Sequence, residues 1–144
     1  MAQTPRPASD PAVSMPASID SPDMLRAGRE LLSLALIDAR NHTLHLLSLY
    51  EQALGSAALP VPPELQREEG MQPPVWLAGH IGWFAEWWIG RNTQRAFGAD
   101  CPVRPTRLAA IDPGADDWWN PAQIGPERRW APGLPDLAQT KAYL

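Results

Sequence analysis

Proline sets the strongest limit on how this chain can fold. Seventeen of its 144 residues are proline, and a proline inside a helix removes a hydrogen bond and clashes with the preceding turn. Proline is absent from two long stretches, residues 23–59 and 75–101. Because the segment 98–135 shows no strand alternation, we expect an all-α fold in which long Pro-rich connections join the helices.

The first predicted helix starts at Ser21, which can cap it, and continues with Pro22 and Asp23 in the first turn. The helical period lasts about thirty residues, and Gly55 is typical of a helix end. Apolar side chains spaced by three or four residues predict the inward face, which comprises Leu25, Leu32, Ala35, Leu36, Ala39, Leu46 and Tyr50.

A second helix is predicted from Pro74 to Ala96, with Gly98 just past its end. Gly79, Gly82 and Gly90 share one strip with Glu86, which would let another helix approach closely. From 98 to 135 we expect ordered loop with one or two helical turns. Asp136 then caps a helical pattern that stops at Leu144 after two turns, so we expect the chain to be cut within a helix.

Composition and charge exclude several classes of partner. A net charge of −4 without clustered Lys and Arg argues against nucleic acid. Cys101 is the one cysteine, so an internal disulfide is impossible and a reducing cytoplasm is expected. We predict no secretion signal and no membrane segment, because the apolar runs are too short. Residues 1–20 are rich in Pro, Ala and Ser and are expected to form a disordered tail.

His80 is the candidate chemical centre of the second helix. Helical spacing places it in the middle of the apolar face, among Trp76, Leu77, Trp83, Phe84 and Trp87. An unpartnered buried imidazole costs about 1–3 kcal/mol, so a hydrogen-bond acceptor or a metal should meet it. The residues alone favour a hydrogen-bonded core histidine over a metal ligand, and an acid or base role is the third interpretation. A site of His42, His45 and His80 is a further alternative, although His45 is expected to point to water.

The runs DARNHTLHLLSLYEQAL and PVWLAGHIGWFAEWWIGRN resemble the N-terminal DinB-like domain of the hercynine oxygenases. These are the non-haem iron sulfoxide synthases of ergothioneine biosynthesis. The family pattern W-x-L-x-H-I-x-x-x-x-E-x-W is matched by Trp76, His80, Ile81, Glu86 and Trp88, with the leucine shifted to follow the tryptophan directly. The selenoneine synthase branch of the family is similar in three features, namely the length of the connection, the run NTQR after the second helix and the WW…RRW loop. The resemblance covers residues 25 to 144.

The resemblance implies a DinB-like up-and-down four-helix bundle over residues 21–144. The bundle would be truncated at its C-terminal end, and the catalytic C-terminal domain that follows in the family would be absent. It also implies that His80 is one of three protein ligands to Fe(II). The other two lie in an H-x-x-x-H-x-E motif, which this sequence does not contain.

The remaining site residues also follow from the resemblance. A dry wall around the metal is expected from Trp76, Trp83, Phe84 and Trp87. Glu86, because it lies on another face of the helix, should bond a neighbouring helix rather than touch the metal. Arg128 and Arg129 fall where the family binds the carboxylates of the sulfur donor; a solvated loop pair is the alternative. Three loop tryptophans could hold a trimethylammonium group by cation–π attraction or simply anchor the loop: Trp118, Trp119 and Trp130.

The implied function of the full-length protein is that of an Fe(II)-dependent oxidoreductase. It would join sulfur or selenium to the imidazole of hercynine, with dioxygen and a thiol or selenium donor as the other small-molecule partners. The chain alone is expected to be inactive. Two alternatives remain: a DinB-like metal-dependent thiol transferase, and a non-catalytic helical interaction module whose tryptophan face is core or partner surface.

Overall fold

The computed structural model describes residue 18, residues 20–54 and residues 70–144. This part of the chain is mostly helical and contains no strand, in agreement with the all-α prediction. The predicted tail at 1–20 lies outside the described residues except for Ser18 and Asp20, and so do Gly55 and most of the connection from 56 to 74. The chain divides into two compact units, Met1–Arg40 and Asn41–Leu144.

In the first unit, the predicted start of the long helix is a separate turn. Ser21 caps a 3-10 turn, Pro22–Arg26, by accepting a hydrogen bond from the Asp23 amide at 3.3 Å. Ala27 is extended, with φ −63° and ψ 147°, so the helix begins only afterwards, as α1, Arg29–Leu54. Leu25, predicted to face inward, is 90% exposed because it lies on the isolated turn.

In the second unit, the last part of α1 presents a different face from the predicted one. Leu47 is buried, whereas Leu46 and Tyr50 are exposed. An ion pair one turn after Leu47 accounts for the rotation, since the Glu51 carboxylate accepts a hydrogen bond from Lys141 Nζ at 2.7 Å. Apolar periodicity could not reveal this polar anchor.

The tryptophan helix is shorter than predicted and changes type. It forms α2, Pro74–Ala85, followed by a π-helical turn, Glu86–Gly90. The Arg91 amide bonds the Glu86 carbonyl at 2.8 Å, which closes this wider turn. The Glu86 carboxylate is buried and bonded to other segments, so tertiary contacts hold the turn in place. A 3-10 segment, Arg95–Asp100, follows, and Gly98 within it has φ +56°.

Two short helices, α3, Ala115–Trp119, and α4, Leu137–Tyr143, pack against α2. The core comprises Trp76, Trp83, Ala115, Trp119 and Ile124. Asp136 caps α4 as predicted, because its side chain accepts the Gln139 amide at 2.8 Å while Gln139 Oε1 accepts the Asp136 amide at 2.9 Å.

The predicted close approach along the glycine strip is present at two of its positions. A Cβ added to Gly79 would lie 2.5 Å from the indole of Trp119, and one added to Gly82 would lie 3.3 Å from the ring of Tyr143 in α4. At Gly90 the nearest atom belongs to the side chain of Glu86 in the preceding turn. Glycine is therefore required mainly at Gly79, where an indole that is 1% exposed cannot move aside.

None of the helices in the described segments has both the length and the apolar character that a membrane crossing needs.

We predict that Gly79→Ala destabilises the protein and that Gly82→Ala does not. The first methyl group overlaps the buried Trp119 ring, so we expect a loss of about 1–3 kcal/mol in the free energy of unfolding. At Gly82 the looser contact is offset by the better helix propensity of alanine, about 0.5–1 kcal/mol. Urea denaturation of the three proteins measures the difference. Equal stabilities for the two variants would contradict the packing role of Gly79.

Candidate functional site

His80 lies on α2 with its Nδ1 atom 2.9 Å from the carbonyl oxygen of Trp119. A carbonyl oxygen can only accept, so Nδ1 carries a proton and donates it. In the neutral ring the lone pair is then on Nε2, for which no hydrogen-bond partner is found among the described residues. The Trp119 carbonyl, at the end of α3, therefore fixes both the orientation and the tautomer of the imidazole.

Two indole rings enclose the imidazole of His80. Its ring centroid is 5.1 Å from that of Trp76, with the planes 5° apart, and 5.6 Å from that of Trp83, with the planes 22° apart. Phe84 meets it edge-on at 6.1 Å. Trp87 stacks on Trp83 at 5.2 Å and makes no ring contact with His80. Three of the four predicted neighbours thus contact the imidazole directly.

His80 is at the border of the core rather than in the middle of the apolar face. Trp76 and Trp83 are buried, but the other neighbours on α2 are open to solvent, with Leu77 43% and Phe84 52% exposed. The helix packs against α3 and α4 through the indole side and leaves its other side uncovered by the described residues. The half-buried imidazole can therefore be approached from outside.

A carboxylate in α3 holds the indole side of this arrangement. Asp116 accepts a hydrogen bond from Trp83 Nε1 at 2.8 Å and two from Arg91, at 2.7 and 3.1 Å. The hydrogen bonds from Arg91 hold the pKa of Asp116 below its ordinary value. Neither Asp116 nor Arg91 was predicted from the sequence. The signal that could have found Asp116 is its place in the run ADDWW, just before two tryptophans.

Glu86, the first residue of the π turn, bonds the neighbouring helix α4, as its place on another face of the helix predicted. Its carboxylate accepts hydrogen bonds from the Ile111 amide at 2.8 Å and from the Tyr143 hydroxyl. Burial, and then the bond to Glu86, raise the pKa of Tyr143 far above its ordinary value. The Tyr143 ring also stacks on Trp119, with centroids 6.4 Å apart. Glu86 thus supports the residue whose carbonyl orients His80.

The two predicted substrate-binding arginines differ in their surroundings. Arg129 lies over the Trp76 ring at 4.1 Å and donates to Gln72 Oε1 at 2.8 Å and to the Ile124 carbonyl at 3.3 Å. Burial lowers its pKa. Arg128 is exposed, and its side chain makes no hydrogen bond within the described part of the chain. Arg129 is therefore the one that is built into the fold.

A cleft of about 640 Å³ opens beside Arg129. Its wall is mainly apolar, with Trp76, Trp130 and several prolines, and the Glu51–Lys141 ion pair is at its edge. The volume is that of a small-molecule site. His80 is not among the lining residues, so the structure does not bring the two predicted parts of the site into one cavity. Trp76 contacts both of them.

The loop tryptophans divide between packing and the cleft. Trp119 is core, and the carbonyl of Trp118 accepts a hydrogen bond from Trp76 Nε1 at 2.8 Å, so this pair anchors the loop. Trp119 and Trp130 both line the cleft, Trp119 from the core and Trp130 with a half-buried ring.

A complete metal site is not assembled by the residues that the structure describes. No group of three His, Cys, Asp or Glu side chains there could hold an ion. His42 and His45 are exposed on α1, so the alternative site with His80 is not formed. Cys101 lies elsewhere, where its Sγ accepts a hydrogen bond from Asn92 at 3.4 Å.

No protein-family model matches this sequence, and no curated protein matches it either. The resemblance to the hercynine oxygenases therefore stays a prediction from the sequence.

We predict that Tyr143 contributes stability that disappears in alkali. Because its pKa is raised in the folded protein, the contribution is complete below the unfolded pKa, about 10, and is lost as the pH rises beyond it. Tyr143→Phe should cost about 1–3 kcal/mol at pH 7, since a buried Glu86 oxygen loses its donor.

The stability difference between wild type and Tyr143→Phe should shrink above pH 10 in denaturant titrations. Tyr50→Phe serves as the control for the loss of a tyrosine hydroxyl, because Tyr50 is exposed. A difference that is constant up to pH 12 would contradict the assignment.

Proposed function

We propose that this chain supplies His80 as one ligand of a three-histidine Fe(II) site in a hercynine oxygenase-like enzyme. The observation that carries the proposal is the bond from His80 Nδ1 to the Trp119 carbonyl, which leaves Nε2 with its lone pair. Histidines that bind metals commonly donate their other ring N–H to a carbonyl or carboxylate, which fixes the ring for coordination.

The residues that the structure describes supply one candidate metal ligand, His80, and not a complete iron site. The described part of the chain holds no group of three possible ligands, and H-x-x-x-H-x-E is not in the sequence. The proposal therefore assigns the other two histidines to polypeptide beyond this sequence, together with the rest of a DinB-like bundle. When bound, Fe(II) would supply one-electron chemistry and open positions for dioxygen and the donor atom.

The chain's own share of the proposed function is orientation and exclusion of water. Trp76 and Trp83 stack on the imidazole and would limit the access of water to it. Arg129 has five N–H groups, of which three are used inside the fold. The remaining one on each Nη suits a carboxylate fork. The cleft beside Arg129 would then receive the carboxylate end of the donor.

The test uses the protein encoded by the complete gene. It is loaded anaerobically with Fe(II) and desalted, and its iron content is measured. We expect His80→Ala to lose the iron and His45→Ala to keep it, since His45 is an exposed histidine on another helix. Full iron occupancy in His80→Ala would refute the ligand assignment.

Mass spectrometry then identifies the reaction. The complete protein is given hercynine, dioxygen and either a cysteine-type thiol or a selenosugar. A product with sulfur or selenium on the imidazole supports the oxygenase. Transfer of an intact thiol to another acceptor, without consumption of dioxygen, would favour the DinB-like thiol transferase instead.

A second candidate is a helical interaction module, and the uncovered side of α2 favours it. Leu77, Ile81, Phe84 and Trp88 are 40–52% exposed and follow one another at spacings of four, three and four residues. This spacing matches the anchor positions of helix-in-groove recognition. A complete protein that retains no iron, yet loses association with a partner when Phe84 is replaced by Gln, would support the module.

We predict that the isolated chain binds Fe(II) weakly, because one imidazole cannot hold iron in a three-histidine site. Anaerobic calorimetry should show no stoichiometric binding, and His80→Ala should not change the result. Tight one-to-one binding would contradict this expectation and would revive the site of His42, His45 and His80.

A further inference from the structure

Aromatic rings of α2 and its π turn form a continuous stack that includes His80. Neighbouring centroids are 5.1 Å apart between Trp76 and His80, 5.6 Å between His80 and Trp83, and 5.2 Å between Trp83 and Trp87. Indole is among the side chains that lose one electron most easily, and electrons pass rapidly between rings in contact. The stack therefore offers indole rings in contact with His80 onto which an oxidising equivalent can pass.

Arginine side chains lie over two of the three tryptophans in the stack. Arg129 lies over Trp76 at 4.1 Å, and Arg91 and Arg107 lie over Trp87 at 4.8 and 4.4 Å. A cation over a ring opposes the removal of an electron from it by simple Coulomb repulsion. These two indoles are therefore poor places for a positive charge.

Trp83 has the opposite environment. Among the described residues no guanidinium lies over its ring, and its Nε1–H donates to the Asp116 carboxylate at 2.8 Å. A carboxylate that accepts the indole N–H stabilises positive charge on the ring; the Trp83 residue is 5% exposed and the Asp116 side chain 29%. The two hydrogen bonds from Arg91 keep Asp116 ionised. Asp116 is thus the anionic partner in an ion pair with Arg91, and it does not take the indole proton.

We propose that Trp83 is a redox-active residue on which a one-electron oxidising equivalent comes to rest. The oxidant gains one electron, and Trp83 loses one and becomes an indole radical cation. Its Nε1 keeps the proton, hydrogen-bonded to Asp116. A thiolate reductant then returns the electron and leaves as a thiyl radical. Because indole loses an electron more easily than imidazole, Trp83 takes the oxidising equivalent in place of the His80 ring stacked on it.

The inference rests on the proposed function only for iron as the natural source of the oxidant. Its test needs no metal. Azide radicals, made by pulse radiolysis, take one electron from an indole and become azide anions. They reach the exposed Trp88, which is 44% exposed, far more readily than the buried Trp83. A limiting dose is given to the metal-free chain, and peptide mass spectrometry locates the oxygenated tryptophans.

We expect Trp83 to carry the largest share of the oxygenated product, and freeze-quenched samples to show the paramagnetic signal of an indole radical cation. A pattern that follows exposure, with Trp88 most oxidised and Trp83 intact, would overturn the proposal. Because the unmodified chain gives this result, the test does not depend on whether any variant folds.

Two variants sharpen the assignment. Trp83→Phe removes the ring that holds the charge, so the product should move to Trp88 and the signal of the buried radical should be lost. Trp88→Phe, the matched control on the exposed side of the same segment, should slow oxidation but leave its product on Trp83. A radical signal that is unchanged in Trp83→Phe would contradict the proposal. Neither outcome bears on iron retention, which the His80→Ala and His45→Ala pair measures separately.

Discussion

The contact between the Trp119 indole and the backbone of α2 at Gly79 is the one on which the other features depend. A side chain at Gly79 would hold the indole away, and the carbonyl of the same tryptophan accepts the His80 proton. Core packing and the orientation of the imidazole are therefore two results of one close approach. Tyr143, stacked on the Trp119 ring and bonded to Glu86, holds that approach from the α4 side.

Asp116 connects α3 to α2 and to the segment that follows the π turn. One carboxylate bonds the Trp83 indole and the Arg91 guanidinium, and these residues stand on either side of the π turn. Arg91 also donates to the Leu108 carbonyl at 2.7 Å, so the loop after the turn is fixed to α3 through the same group. A short helix of five residues is stable here because its acidic side chain is shared by three segments.

The features that depend on residues close together in the sequence were predicted from the sequence. The proline distribution placed the two long helices, the Asp136 cap was read correctly, and the glycine strip pointed to the close approach at Gly79 and Gly82. The inward face of α1 and the end of α2 were wrong, because the ion pair of Glu51 and the buried carboxylate of Glu86 find their partners 90 and 57 residues away in sequence. Asp116 was missed for the same reason, since periodicity describes only neighbours along one helix.

The π turn at Glu86–Gly90 has a consequence for how tolerant this region is of length changes. Such a turn contains one residue more than an α-helical turn, so it behaves as a single-residue insertion that the fold has accepted. Removing one residue would let the turn close as a regular α-helix and would leave the segment after it near its present rotation, whereas the same deletion in an ordinary α-helix rotates everything after it by about 100°. Arg91 would then still face Asp116 and Leu108. The π turn is thus the place where this region can lose one backbone unit without losing the register of the loop that follows.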